Sequence, residues 1–246
     1  MGGDLTFAHS THPHVILIED DPETTQRVYK AGYIPELPDH FATITGDVVH
    51  NLRSSLDLLI GQLRLANGKS LGEGYFPISD TREKFKARCK AEVEGHVGKD
   101  AFKLVCATEA YRGGKGHALW QVHRLDIEDK HRLLFVVGFG YRSFRLPFPT
   151  SMFPPGAERV IEEMAPFVRP ADRQVPLKQG NELFIDPDRT DPKTEPKLRL
   201  DVAFSESEIV QGEPILPTLL GLTEAVEGAV EDSPRFWSRD LIPRPL

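Results

Sequence analysis

Between Asp39 and Ala66 apolar residues recur in steps of three and four: Phe41, Ile44, Val48, Val49, Leu52, Leu56, Leu59, Ile60 and Leu63. That spacing places them on one face of a 3.6-residue helix. Asp39, just after Pro38, is the expected N-cap, and Asn67-Gly68 supplies a stop. A second row, His50, Arg53 and Asp57, follows the same steps more than a quarter-turn away from the centre of the stripe. One helix therefore offers a core face and a separate face able to do chemistry.

The rest of the chain alternates between the two periods. Val15–Glu19 reads as a buried strand, Asp20-Asp21-Pro22 breaks it, and Gln26–Ile34 is its hairpin partner. Tyr75–Ile78 is short, extended and apolar. Thr81–Val93 is an expected helix with Asp80 as its cap, followed by a helix over Asp100–Tyr111, a flexible RGGKG link at 112–116, and a helix over His117–His131. Leu133–Gly140 suits a buried strand, and Tyr141–Phe148 alternates as a strand with one wet face. Proline and aspartate dominate 149–196, apart from a short strand at Glu182–Ile185. Lys197–Phe204 alternates again, and Pro214–Val230 closes with a helix turning Ile215, Leu219, Leu222, Val226 and Val230 inward. Helices and strands follow one another without βαβ order, which predicts an α+β fold. The expected organisation is a single domain over 15–232, with a long central helix and further helices on a mainly antiparallel sheet. A flexible arm at 1–14 and a proline-containing tail at 233–246 flank it.

Composition narrows the classes. The 246 residues are 39% hydrophobic, enough for a real core, and the net charge of −7 argues against a broad nucleic-acid-coating surface. Two cysteines, Cys89 and Cys106, are too few for a disulfide scaffold and are read as buried free thiols. No apolar run approaches the roughly 20 residues of a membrane span. The N-terminus lacks a basic-then-apolar leader, so a cytoplasmic location is the expectation. A homodimer through the long amphipathic helix is open.

Two charged motifs concentrate the candidate chemistry. The first is His50, Arg53 and Asp57, flanked by Asn51 and Ser54. The second is Asp129-Lys130-His131-Arg132, preceded by Asp126 and Glu128, where a helix hands over to a strand. If the two lie side by side, Asp129 is placed to pair with Arg53 and Arg132 with Asp57. His50, Arg53, Asp57, Asp129, His131 and Arg132 are the candidate catalytic residues: a histidine to move a proton, arginines to hold a phosphate, carboxylates to orient them. No HExxH or Cys/His pair signals a metal, RGGKG lacks P-loop spacing, and no GxSxG elbow occurs, so no cofactor is expected.

GDVVHNLRSSLDLL (46–59) and LDIEDKHRLL (125–134), with FPI at 76–78 and the Gly212/Pro214 pair, resemble an uncharacterised bacterial family. That family has an HNLRSALD-type helix and a DKHR-type segment. The resemblance implies grouping, with motif positions at His50, Asn51, Arg53, Ser54, Asp57, Asp129, Lys130, His131 and Arg132, and implies no activity. Arg124 with His131, and Arg112 with His117, also resemble the R-x(4–6)-H motif of HEPN-type helical ribonucleases. Leu125 and Gly113 stand where those commonly have a polar residue. Three readings follow: a metal-independent enzyme on a phosphate-containing substrate such as RNA; a binding or regulatory module for a small anion, nucleotide or protein partner; and a structural ion-pair clamp.

Overall fold

The computed structural model describes residues 16–34, 36–72, 74–132, 137–145, 167–168, 176–186, 197–205 and 207–231; within these, the side chains of 131–132, 137–145, 167–168 and 197–201 are not described. The expected arm, the tail and the proline-rich 187–196 stretch lie outside the described residues, as does 133–136. The fold is α+β. The described strands belong to one compact unit, Met1–Asp39 with Val136–Ile215, and the helices to another, His40–Phe135 with Leu216–Leu246.

In the strand unit β1 (Ile16–Asp20), β2 (Arg27–Ala31) and β5 (Glu182–Asp186) form one antiparallel sheet in the order β1-β2-β5. β3 (Val137–Arg145), β4 (Phe167–Val168) and β6 (Lys197–Phe204) form a second, in the order β4-β3-β6. The opening hairpin forms as its apolar runs predict, with Thr25 at positive φ and Asp21 capping the turn through Glu23 N and Thr24 Oγ1. The expectation that the first strand is buried fails. Leu17 and Ile18 are exposed at 38% and 48%, because β1 is an edge strand and only β2 turns Tyr29 and Ala31 fully inward. Leu177 and Leu183 complete that core.

The helical unit is built on α1 (His40–Ala66). It runs without proline for 27 residues, on the order of 40 Å. It stops where Gly68 takes φ +71° and Gly68 N and Lys69 N satisfy the carbonyls of Leu65 and Arg64. α2 (Arg82–Arg88) runs into one π-helical turn (Cys89–Val93), and α3 (Lys99–Ala107), α4 (His117–Arg132) and α5 (Ile215–Glu231) follow. The cap of α2 is Thr81, whose hydroxyl accepts from Lys84 N; Asp80 instead accepts from Trp120 Nε1 at 2.9 Å. RGGKG is no loose link. Gly114 N and Gly116 N donate to Tyr111 O and Glu109 O, and a Cβ at Gly114 or Gly116 would collide with backbone carbonyls.

The core of this unit joins Val49, Leu56, Leu59, Ile60 and Leu63 of α1 with Phe76, Ile78, Phe85, Val93, Val105, Val122 and Leu125, all under 5% exposed. Each such side chain is worth about 1.5–3 kcal/mol in burial. Cys89 is buried and Cys106 half-buried, and burial pushes both thiols up, so they stay protonated. No helix among the described residues is long and apolar enough to cross a membrane.

The α1 face is more tightly specified than its composition suggests, since Leu56 is fully buried while Leu58, two residues on, is 64% exposed. Leu56→Ala is expected to cost about 2–5 kcal/mol in chemical denaturation and Leu58→Ala less than about 0.5 kcal/mol. Equal losses would contradict the assigned face.

Candidate functional site

The two charged motifs meet along the line where α4 packs against α1. Asp129 lies against Gly46, Asp126 holds His50, and His123 holds Arg53, so partner numbers fall on α4 as they rise on α1. The helices are therefore antiparallel. On α1 the row Gly46, His50, Arg53, Asp57 advances by four, three and four. On α4 the row His123, Asp126, Asp129 advances by three, and both rows stay on one helical face.

At Gly46 the absence of a side chain is structural. A Cβ there would lie 2.6 Å from Asp129 Oδ1, so glycine makes room for the carboxylate. Burial, then the neighbouring carboxylates of Asp126 and Asp47, raise the pKa of Asp129. One turn along, His50 Nδ1 is 2.9 Å from Asp126 Oδ1. The imidazole is 53% exposed and the carboxylate 5%. Lys130 Nζ reaches the other oxygen, Asp126 Oδ2, at 2.7 Å.

The next turn is closed. Arg53 is only 7% exposed. Its Nη1 donates to Asp57 Oδ1 at 2.6 Å and its Nε to His123 Nδ1 at 3.2 Å. Asp57 Oδ1 also accepts Phe76 N–H at 2.8 Å, which ties the FPI segment to α1. A guanidinium has only donors, so His123 Nδ1 must accept and the ring proton sits on Nε2. Burial, followed by the positive charges of Arg53 and Arg88, holds the His123 imidazole down at about 4.

The expected pairing of Arg53 with Asp129 does not form. The carboxylate lies two turns away at Gly46, and Asp57 and His123 take its place. Asp57 is met by Arg53 and the Phe76 amide. His131 and Arg132 belong to the last turn of α4, and their side chains lie outside the described residues. The arrangement brings together His50, Arg53, Asp57 and Asp129. It adds Asp126, which precedes the second motif, Gly46 and Phe76 from the stretches beside it, and His123, which the motifs did not single out. The missing signal was the matching periodicity: His123, Asp126 and Asp129 form a row complementary in sign to the α1 row. Among the described residues no group of three or more His, Cys, Asp or Glu is placed to hold a metal ion.

No protein-family model, curated protein or solved structure matches this chain.

Two outcomes check the seam. Arg53→Ala removes the charge partner of Asp57, whose side chain is 27% exposed. A loss of about 3 kcal/mol in denaturation is expected, and wild-type stability would contradict the clamp. At His123 the folded pKa lies below the unfolded one, so the unfolded chain takes up a proton that the folded chain refuses. That contribution is intact above about pH 6.5 and is lost as pH falls toward about 4, by about 2 kcal/mol after allowance for partial exposure. His123→Gln, compared with wild type by thermal unfolding across this range, should lack that component. An unchanged pH slope would contradict the assignment.

Proposed function

We propose that this chain is an enzyme working by proton transfer on a phosphate-containing substrate such as RNA, with His50 as its acid/base. One observation carries the reading: a half-exposed imidazole whose Nδ1 is anchored to a buried carboxylate. Asp126 accepts a hydrogen bond from Nδ1–H, fixes the tautomer and leaves Nε2 free to act as a base, and it stabilises the imidazolium that forms. The same ring, once charged, can return the proton to a leaving oxygen. Lys130, 55% exposed and bound to the second Asp126 oxygen, adds positive charge beside the ring for a phosphate to approach. RNA is the substrate class implied by the HEPN-type likeness of Arg124 and His131, which lies outside the His50 turn; at that turn Lys130 supplies the positive charge a phosphodiester needs.

Arg53 and Asp57 support a different role. Both are spent on the contact between α1, α4 and Phe76, so they act as positioning residues that hold the His50 turn of α1 against Asp126. This is the clamp, and it serves the site without touching substrate. The alternative, a binding or regulatory module for a small anion, nucleotide or protein partner, requires no titration at His50.

The test is turnover of a mixed-sequence RNA oligonucleotide and a phosphodiester reporter. His50→Gln should fold as the wild type, since the ring is half exposed, and lose about 10²–10⁴-fold in kcat. Asp126→Asn should lower kcat with little change in KM. Full activity in His50→Gln, or no cleavage by the wild type, would end the reading.

A further inference from the structure

A second polar feature lies on another side of α4. Residues two apart on a helix are separated by roughly 200°, so Arg124 points well away from Asp126 and the His50 seam. There a cavity of about 420 Å³ opens between α4, α2 and the 78–80 segment. Its volume falls within the roughly 300–1,000 Å³ of small-molecule sites and exceeds what a bare oxyanion fills.

The lining is rich in donors. Lys84, Arg88 and Arg124 contribute three cations, Ser79 a hydroxyl and His123 an imidazole. Arg88 is already committed: Nε and Nη2 reach Glu92 at 2.8 and 3.3 Å, and Nη1 reaches Ile78 O at 2.8 Å. Asp80 is the one acid among the lining residues, and its Oδ1 accepts from Trp120 Nε1. Among the described residues two cations have donors to spare. Lys84 is exposed and makes no ion pair among the described residues. Arg124 Nε is buried without a hydrogen-bond partner. A buried guanidinium N–H left unpaired is costly, and a ligand oxygen would remove that cost. His123 adds one more donor, since its Nδ1 is taken by Arg53 and its proton must lie on Nε2.

We propose that this cleft binds the phosphate group of a small phosphomonoester of nucleotide size. Lys84, Arg124, Ser79 and His123 present more donors than the two oxygens of a carboxylate accept, and they suit a tetrahedral dianion with three terminal oxygens. The uncommitted positive charge of Lys84 and Arg124 fits the dianion's charge. Ile78 and Ala87 line the same cavity and offer an apolar wall to the organic part of the ligand. His123 links the two sides of α4: one ring nitrogen accepts from the clamp and the other faces recognition of phosphate.

The probes are adenosine 5′-monophosphate and inorganic phosphate, titrated calorimetrically into the full chain at constant ionic strength. The wild type should bind the nucleotide saturably, and phosphate should compete. Lys84→Ala, at an exposed position that leaves folding intact, should weaken the nucleotide roughly tenfold, as should Arg124→Gln. Overturning results are no saturable binding of either probe at millimolar concentration, nucleotide binding with which phosphate does not compete, or unchanged affinity in both variants. Binding is read without turnover, so a protein that binds the nucleotide but cleaves nothing would end the His50 reading and leave this one standing.

Discussion

The buried guanidinium of Arg53 is the constraint around which the helical unit is arranged. An arginine cannot shed its charge, so a position only 7% exposed must surround it with acceptors. Asp57 supplies a carboxylate one turn along α1, and His123 supplies a neutral nitrogen from α4. Because the first acceptor also takes the Phe76 amide, one cation fixes three segments at once: α1, α4 and the FPI stretch. A hydrophobic contact there would hold the helices together and leave them free to slide. A charge with only a few acceptable partners also specifies the register.

That register decides what the neighbouring turns can do. With Arg53 opposite His123, antiparallel helices must place His50 opposite Asp126 and Gly46 opposite Asp129. The carboxylate at Asp126 is thereby buried while its histidine stays half exposed. A buried acceptor behind an accessible ring is the arrangement that directs a proton, whereas Arg53 itself is too enclosed to meet a substrate. On the other side of α4 the uncommitted cations of Lys84 and Arg124 line an open cavity, and His123 belongs to both sides. In the proposed reading the chemistry of the chain is divided between a proton-moving turn and an anion-holding cleft, with the Arg53 contacts between them.

The central helix, its stop at Asn67-Gly68, the α4 segment, β6 and the α+β class were all legible from periodicity. That the two charged motifs could pair was legible from their complementary signs; that they do meet was not. The register was not, because Asp126 and Asp129 stand three apart on one face, and either satisfies a charge-matching argument. Only the space left by Gly46 and the contact of Arg53 with His123 select between them. Exposure of Leu17 and Ile18 was invisible for a related reason: an apolar run tells strand from loop but not edge from centre. The order of RGGKG was hidden because glycines that permit a tight hydrogen-bonded turn look, in sequence, like glycines that permit motion. Asp80 was an equally good cap on paper; Trp120, forty residues on, claims it instead.

The most direct test of this account is the protonation state of His123, read from its two imidazole nitrogen shifts by ¹⁵N NMR at about pH 5.5, a unit below the ordinary histidine value. The Arg53 contact requires Nδ1 to be bare and Nε2 to carry the only proton. A neutral ring with the proton on Nε2, persisting at this pH, is the expected result. A doubly protonated ring, or a proton on Nδ1, would mean that Arg53 does not bond to His123 and that the register built on it is wrong.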